Sequence, residues 1–285
     1  MASKRVKIAA AAIAAVLALL VLLSVVVAYQ MVYSAKQPIT KTPADYGLPY
    51  QSFEVTTQDG IVIRGWFLPN PSSRDVIIVC HGYVQNKSFM LEGAKALYEA
   101  GYNVVLFDFR GQGESDYSPI TFGYKEKYDV FAVVEYVLSK EELSGGDVGI
   151  YGHSMGGATA IIAAAQTPAI KAVVTDGAYS KLTDAKPAIP LAPVLTPMVF
   201  FFGGVMVGTS AWEIVPADYV GKISPRPILI IHGDADTLIP VEDAYELYQR
   251  AGEPKELWII PGADHDTTGY LESSPQYWGK VISFF

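Results

Sequence analysis

Gly152-His153-Ser154-Met155-Gly156 decides how this chain is read, because of what stands on either side of it. Residues 147–151 before it read as a short buried strand, and residues 158–166 after it as a helix. A serine hydroxyl is a poor nucleophile unless it is held clear of the backbone, beside a base and beside N–H donors. A tight strand-to-helix turn does this at the cost of backbone strain. It also brings the residues two before and two after the serine into near contact. Only tiny side chains fit there, so Gly152 and Gly156 mark Ser154 as a candidate nucleophile. Gly157 and Ala158 extend the small surface and let the new helix pack closely. The plainer alternative is a glycine-rich turn carrying an ordinary exposed serine.

Outward from this turn, strand and helix patterns alternate. Residues 51–57 and 61–67 read as paired strands joined by the turn Gln58-Asp59-Gly60. Residues 76–80, 104–107, 171–175, 228–231 and 256–260 read as further strands. Between them, helices are predicted over 88–100, 124–140 and 241–251, with a last one ending at Phe285. The strands are apolar throughout rather than at every second residue. That pattern predicts an α/β fold with a mostly parallel sheet covered on both faces.

Sites in such sheets form beyond the carboxyl ends of the strands. After residue 231 comes His232-Gly233-Asp234-Ala235-Asp236-Thr237-Leu238-Ile239-Pro240, and after residue 260 comes Pro261-Gly262-Ala263-Asp264-His265-Asp266. The order Ser, Asp, His, each at a strand end, suits nucleophilic catalysis. The base is expected to be a histidine, whose pKa near neutrality lets it take and return one proton. Of the four histidines, only His265 has the required position. His81, His153 and His232 read as packing or hydrogen-bonding residues. Asp236 is preferred as the acid that orients the imidazole, ahead of Asp234, which reads as a brace for the loop. Asp176 ranks third, and Asp264 and Asp266 flank the base as solvated or structural groups. An oxyanion needs two backbone N–H donors. Met155 and Tyr83 are the candidates, one just after the nucleophile and one in the loop after residue 80.

Composition adds the setting. The chain has 285 residues, of which 51% are hydrophobic and 18% charged. Residues 8–28 carry no charge, and at about 1.5 Å per residue they reach about 31 Å, enough to cross a bilayer core. The stretch is long for a secretory signal, so an uncleaved anchor is favoured over cleavage near Ala28 or Ala35. Lys4, Arg5 and Lys7 precede it, while Lys36 and Lys41 follow. This bias places residues 1–7 in the cytoplasm and the rest of the chain outside, making it a single-pass membrane protein. Residues 29–43 are expected to be a linker and 44–285 one large domain. The single cysteine, Cys80, precludes an internal disulfide. A net charge of −8 with no basic stripe argues against nucleic acid as a partner. Protein partners are not indicated.

Residues 181–222 interrupt the alternation, with no charge between Lys186 and Glu213 and with Pro187, Pro190, Pro193 and Pro197 near the start. A second membrane crossing here would put Ser154 and His265 on opposite sides of the bilayer. The segment is instead expected to be a lid whose apolar face meets substrate, membrane or both, or an apolar cap packed on the core. The prolines and Gly203-Gly204 disfavour one long straight helix. No metal site is apparent, no phosphate-binding glycine motif occurs, and Gly111-Gln112-Gly113 lacks the rest of a dinucleotide fingerprint. No cofactor is expected.

Taken together, His81-Gly82-Tyr83, Asp108-Phe109-Arg110-Gly111-Gln112-Gly113-Glu114-Ser115, Gly152–Gly157, Asp234–Pro240 and Asp264-His265 make the chain resemble the α/β-hydrolase superfamily. It is most similar to the monoglyceride-lipase/lysophospholipase-like branch, which includes membrane-anchored serine hydrolases. The resemblance spans roughly residues 45–285. It implies the α/β-hydrolase fold, and it makes the Asp108–Ser115 segment a structural loop, so Arg110 is given no catalytic role. Two departures stand out: no H-G-G-G loop is present, and the lid is short and unusually apolar. The expected activity is hydrolysis of carboxylic esters of small-molecule or lipid-like type through Ser154, His265 and Asp236. An amidase or peptidase on the same residues, and a non-catalytic interaction module, are the alternatives.

Overall fold

Four strands, β3 (Val76–Cys80), β4 (Asn103–Phe107), β5 (Val148–His153) and β7 (Ile228–Gly233), are buried along their whole length, in keeping with their mainly apolar sequences. The structure is a computed structural model and describes residues 4–187, 189, 191–265 and 274–285. With β1 (Gln51–Thr56), β2 (Val62–Leu68), β6 (Ile170–Asp176) and β8 (Lys255–Ile260), they form one sheet in the order β1-β2-β4-β3-β5-β6-β7-β8. β2 runs antiparallel to both β1 and β4, and every pairing from β4 to β8 is parallel. This is the mixed, mostly parallel α/β sheet that the sequence predicts.

Period-two alternation divides the core. Val76, Ile78 and Cys80 of β3 face a cluster that holds Val133 and Val137 of α3 (Glu126–Leu138) and Ile161 of α4 (Met155–Ala164). Ile77 and Val79 face the other way, toward Leu97 of α2 (Leu91–Glu99) and Trp278 of a C-terminal helix, Pro275–Phe284. α6 (Val241–Arg250) adds Ala244 and Leu247 to the first cluster. The expected helix over 88–100 begins with a 3₁₀ turn, Lys87–Met90, before α2 proper.

Two segments refine the sequence reading. The N-terminal helix α1 runs over Lys4–Val32, so the first residues of the expected linker are helical. The rest of that linker is tied to the domain: the Asn86 side-chain amide donates to the Gln37 carbonyl at 3.1 Å, and Lys36 donates to the Ser115 carbonyl. α1 is long and apolar enough to cross a membrane. The apolar interruption folds as α5 (Ala192–Val207), with Pro197 inside it, and then bends by 88° into the stretch Ala211–Lys222. α5 packs against the end of α1. A Cβ at Gly203 would lie 3.5 Å from Val32 Cγ2 and 3.6 Å from Met31 Cε, which shows how closely the helices approach.

Candidate active site

Ser154 stands between β5 and α4 with φ 54° and ψ −120°, a backbone conformation that residues with side chains rarely adopt. Close packing of main chain holds it there. A Cβ on Gly152 would lie 2.4 Å from the Gly156 carbonyl oxygen, and one on Gly156 would lie 2.4 Å from that of Cys80. The Ser154 N–H donates to the Asp176 carbonyl at 2.7 Å and pins the turn to β6.

The hydroxyl presented by this turn lies 2.8 Å from His265 Nε2. His265 Nδ1 in turn lies 2.7 Å from Asp236 Oδ2. With Nδ1 donating to the carboxylate, Nε2 is left to accept from the serine. Asp236 is clamped by its own loop: its Oδ1 accepts the N–H groups of Leu238 at 2.9 Å and Ile239 at 2.7 Å. His232 adds a further hold, with Nε2 3.3 Å from Asp236 Oδ2 and 3.0 Å from the Ile239 carbonyl. Burial pushes the Asp236 carboxyl up, but the hydrogen bonds from His232 and His265 outweigh it and hold the group well below the ordinary carboxylate range. An ionised acid at this position keeps the imidazole in one tautomer.

The remaining candidates have other partners. Asp234 Oδ1 accepts the Gly262 N–H at 2.6 Å, which braces the loops after β7 and β8 against each other. Asp264 Oδ1 accepts from the N–H groups of Thr237 at 3.1 Å and His265 at 2.8 Å. Asp176 is fully buried and accepts from the Tyr277 hydroxyl at 2.8 Å. His81 accepts the Phe109 N–H at 3.1 Å on Nε2, and burial pushes its imidazole below the ordinary value. His153 is buried, its ring centroid 5.4 Å from that of His265. Asp266 lies outside the described residues. Arg110 is held by Asp59 at 2.6 Å and Asp129 at 2.7 Å, so its guanidinium stitches a loop together. Burial pushes the Cys80 thiol up, which makes it no rival nucleophile.

Two clefts meet at Ser154. One, of about 520 Å³, is apolar and is lined by Met31, Tyr83, Phe122, Tyr179, Phe200 and Leu238, with Met155 at its base. The other, of about 340 Å³, is more polar, with Gln85, His153, Thr237, Asp264 and His265 in its lining beside Tyr83 and Leu238. Met155 is the first residue of α4, where an N–H has no partner within the helix. Tyr83, in the loop after β3, reaches both clefts. Among the described residues, no group of three or more His, Cys, Asp or Glu side chains is placed to hold a metal ion.

A model of the alpha/beta hydrolase fold family matches residues 75–198. The YfhR protein of Escherichia coli O157:H7 is 30% identical over 222 residues, which cover 75% of this chain and 73% of that protein. The chain belongs to the alpha/beta hydrolase family. The bem46 protein of Schizosaccharomyces pombe is 26% identical over 242 residues, covering 81% of this alpha/beta hydrolase and 77% of the yeast protein. A solved structure of the Pyrococcus furiosus esterase Pf2001 matches with a TM-score of 0.76 at 28% identity, over 90% of this chain and 97% of that one. The alpha/beta hydrolase described here thus shares an esterase-like fold, which supports hydrolase activity.

His232 has the hydrogen-bonding role expected of it, and the four-residue spacing to Asp236 is its local signal. Two other residues escape a reading of the sequence: Tyr277, which holds Asp176, and Met31 of α1, which reaches the apolar cleft.

Proposed function

We propose that this alpha/beta hydrolase is a membrane-anchored serine hydrolase that cleaves carboxylic esters of apolar, lipid-like acyl groups. One observation carries the reading: Ser154 Oγ, His265 and Asp236 are joined by hydrogen bonds of 2.8 and 2.7 Å at the mouth of an apolar cleft. In this reading residues 1–7 are cytoplasmic and 8–28 span the membrane. Residues 29–43 lead to an extracytoplasmic domain of 44–285, with 181–222 as its lid. The burial of Ala28 and Val32 and the bonds that the Met31 and Val32 carbonyls accept from Tyr83 and Ile120 favour an anchor that is retained, since cleavage near residue 35 would remove these contacts.

Ser154 Oγ attacks the acyl carbon while His265 Nε2 takes its proton. The oxyanion is held by the N–H groups of Met155 and Tyr83. The ester C–O bond breaks, and His265 returns the proton to the departing alcohol, leaving the acyl group on Ser154. Water then attacks, its proton passing to His265, and the serine leaves with that proton as the acid is released. The apolar cleft suits the acyl chain and the polar cleft the alcohol.

Purified full-length protein is expected to hydrolyse p-nitrophenyl esters and to be labelled by a fluorophosphonate. Ser154→Ala should lower turnover by at least about 10⁴-fold and abolish labelling. Undiminished labelling of that variant refutes the assignment.

A further inference from the structure

The last turn of α1 is built into the wall of the apolar cleft. Met31 lines it beside Tyr83, Phe122 and Phe200. Two hydrogen bonds fix that turn to the loops that carry Tyr83 and Phe122. The Tyr83 hydroxyl donates to the Met31 carbonyl at 2.8 Å, and the Ile120 N–H donates to the Val32 carbonyl at 2.9 Å. Phe122 is held at φ 52°, with its carbonyl accepting from the Tyr179 hydroxyl at 2.7 Å. Ser24, Ala28 and Val32 are the buried residues of α1, spaced by four on one face. The main chain at Met31 and Val32 is therefore tied to the wall of the cleft.

Depth follows from helix rise. Residues 4–19 are exposed throughout, and the buried face begins only at Ser24. If residues 8–28 fill a hydrocarbon core of about 30 Å, Met31 stands about 4–5 Å beyond its edge. The cleft then opens at the boundary between acyl chains and head groups, where interfacial helices lie. Val194, Phe201 and Val205 form an exposed apolar face of α5.

Resting on the ester-hydrolase reading above, we propose that Met31 of the anchor helix is a specificity-determining residue that sets acyl-chain length. The substrate is an ester whose chain resides in the bilayer and reaches Ser154 at the bilayer's edge. The membrane helix is thus part of the substrate site as well as a tether.

The test uses the full-length enzyme in phosphatidylcholine vesicles and compares kcat/KM for p-nitrophenyl decanoate and acetate. Wild-type turnover that is lost in Ser154→Ala establishes the hydrolase reading by itself. Met31→Trp, which fills the cleft, should lower the decanoate-to-acetate ratio at least about tenfold. Met31→Ala, which enlarges it, should move the preferred ester to a longer chain. Val26→Trp, on the exposed side of α1, should keep the wild-type ratio. An unchanged ratio and an unshifted preference in the Met31 variants overturn the proposal and leave the Ser154 chemistry standing. Absence of any Ser154-dependent turnover overturns the underlying reading and this proposal with it.

Discussion

Two helices of similar apolar character border the same cleft and meet opposite fates. α4 is buried at every residue, enclosed by β5, β6 and α3. α5 buries only Leu195, Val199, Phe200 and Gly203. Its outward residues Val194, Phe201 and Val205 are 52%, 57% and 67% exposed and share one helical face. Both helices lack charge, and neither shows a marked polar face. What separates them is the partner: protein surrounds α4 on all sides, whereas part of α5 meets none. An apolar face of this kind on a chain that already carries a membrane-length helix is suited to lipid. The comparison also divides labour. α4 begins beside the proposed nucleophile, while α5 and the end of α1 wall the cleft proposed to take the acyl chain.

The largest effect should come from the chemical side. Asp236→Asn would leave His265 without a carboxylate on Nδ1 and is expected to lower kcat about 10⁴-fold. The ratio of long-chain to short-chain ester turnover should be retained, because the cleft is untouched. A changed ratio would show that chemistry and selectivity are not separable in this way. The same variant has a pH signature. Native Asp236 binds its proton less readily than the unfolded chain, whose ordinary value is 3.8. Its contribution to stability is therefore complete above about that pH and is lost as the pH falls further, through the depressed native value. The urea midpoints of wild type and Asp236→Asn should differ at neutral pH and converge in strong acid.

A second pair of substitutions addresses the helices themselves. Ile161→Ala removes a fully buried side chain from α4 and should cost about 3 kcal/mol. Val205→Ala on the exposed face of α5 should cost less than about 0.5 kcal/mol. Chemical denaturation in detergent micelles measures both, and equal losses would erase the distinction between the helices.

The legible parts of this molecule are those with local causes. The collision that forbids a Cβ at residues 152 and 156 leaves its mark as glycine within five residues of sequence. Strands buried on both faces leave unbroken apolar runs. Asp236 and His265 could be chosen because strand ends are where such sites form, and the geometry places His265 beside Ser154 and Asp236 beside His265. The preference for Asp236 over Asp234 matches a carboxylate that faces the imidazole against one that faces Gly262. What stayed hidden depends on meetings between distant segments. Tyr277 reaches the hydroxyl of Tyr151 at 2.8 Å as well as the carboxylate of Asp176, and no period or motif links those positions. The end of α1 was hidden for a different reason. Apolarity fades after Ala28, but helical hydrogen bonding continues to Val32 because the turn docks on α5, Tyr83 and Ile120.

The smallest expected effect is the most direct probe of where α5 points. Cys80 is fully buried, so a cysteine placed on the surface should label selectively. Val205→Cys, carrying a polarity-sensitive fluorophore, should emit to the blue in vesicles when its helix face is set about 5–10 Å into the boundary between head groups and acyl chains. Nitroxide-bearing lipids should quench it. Leu138→Cys supplies the contrast, since Leu138 is 60% exposed at the end of α3. Label there should emit as in water and resist quenching. Equal quenching at both positions would mean that the apolar face of α5 has no special relation to the bilayer, and its exposure would then need a protein partner to explain it.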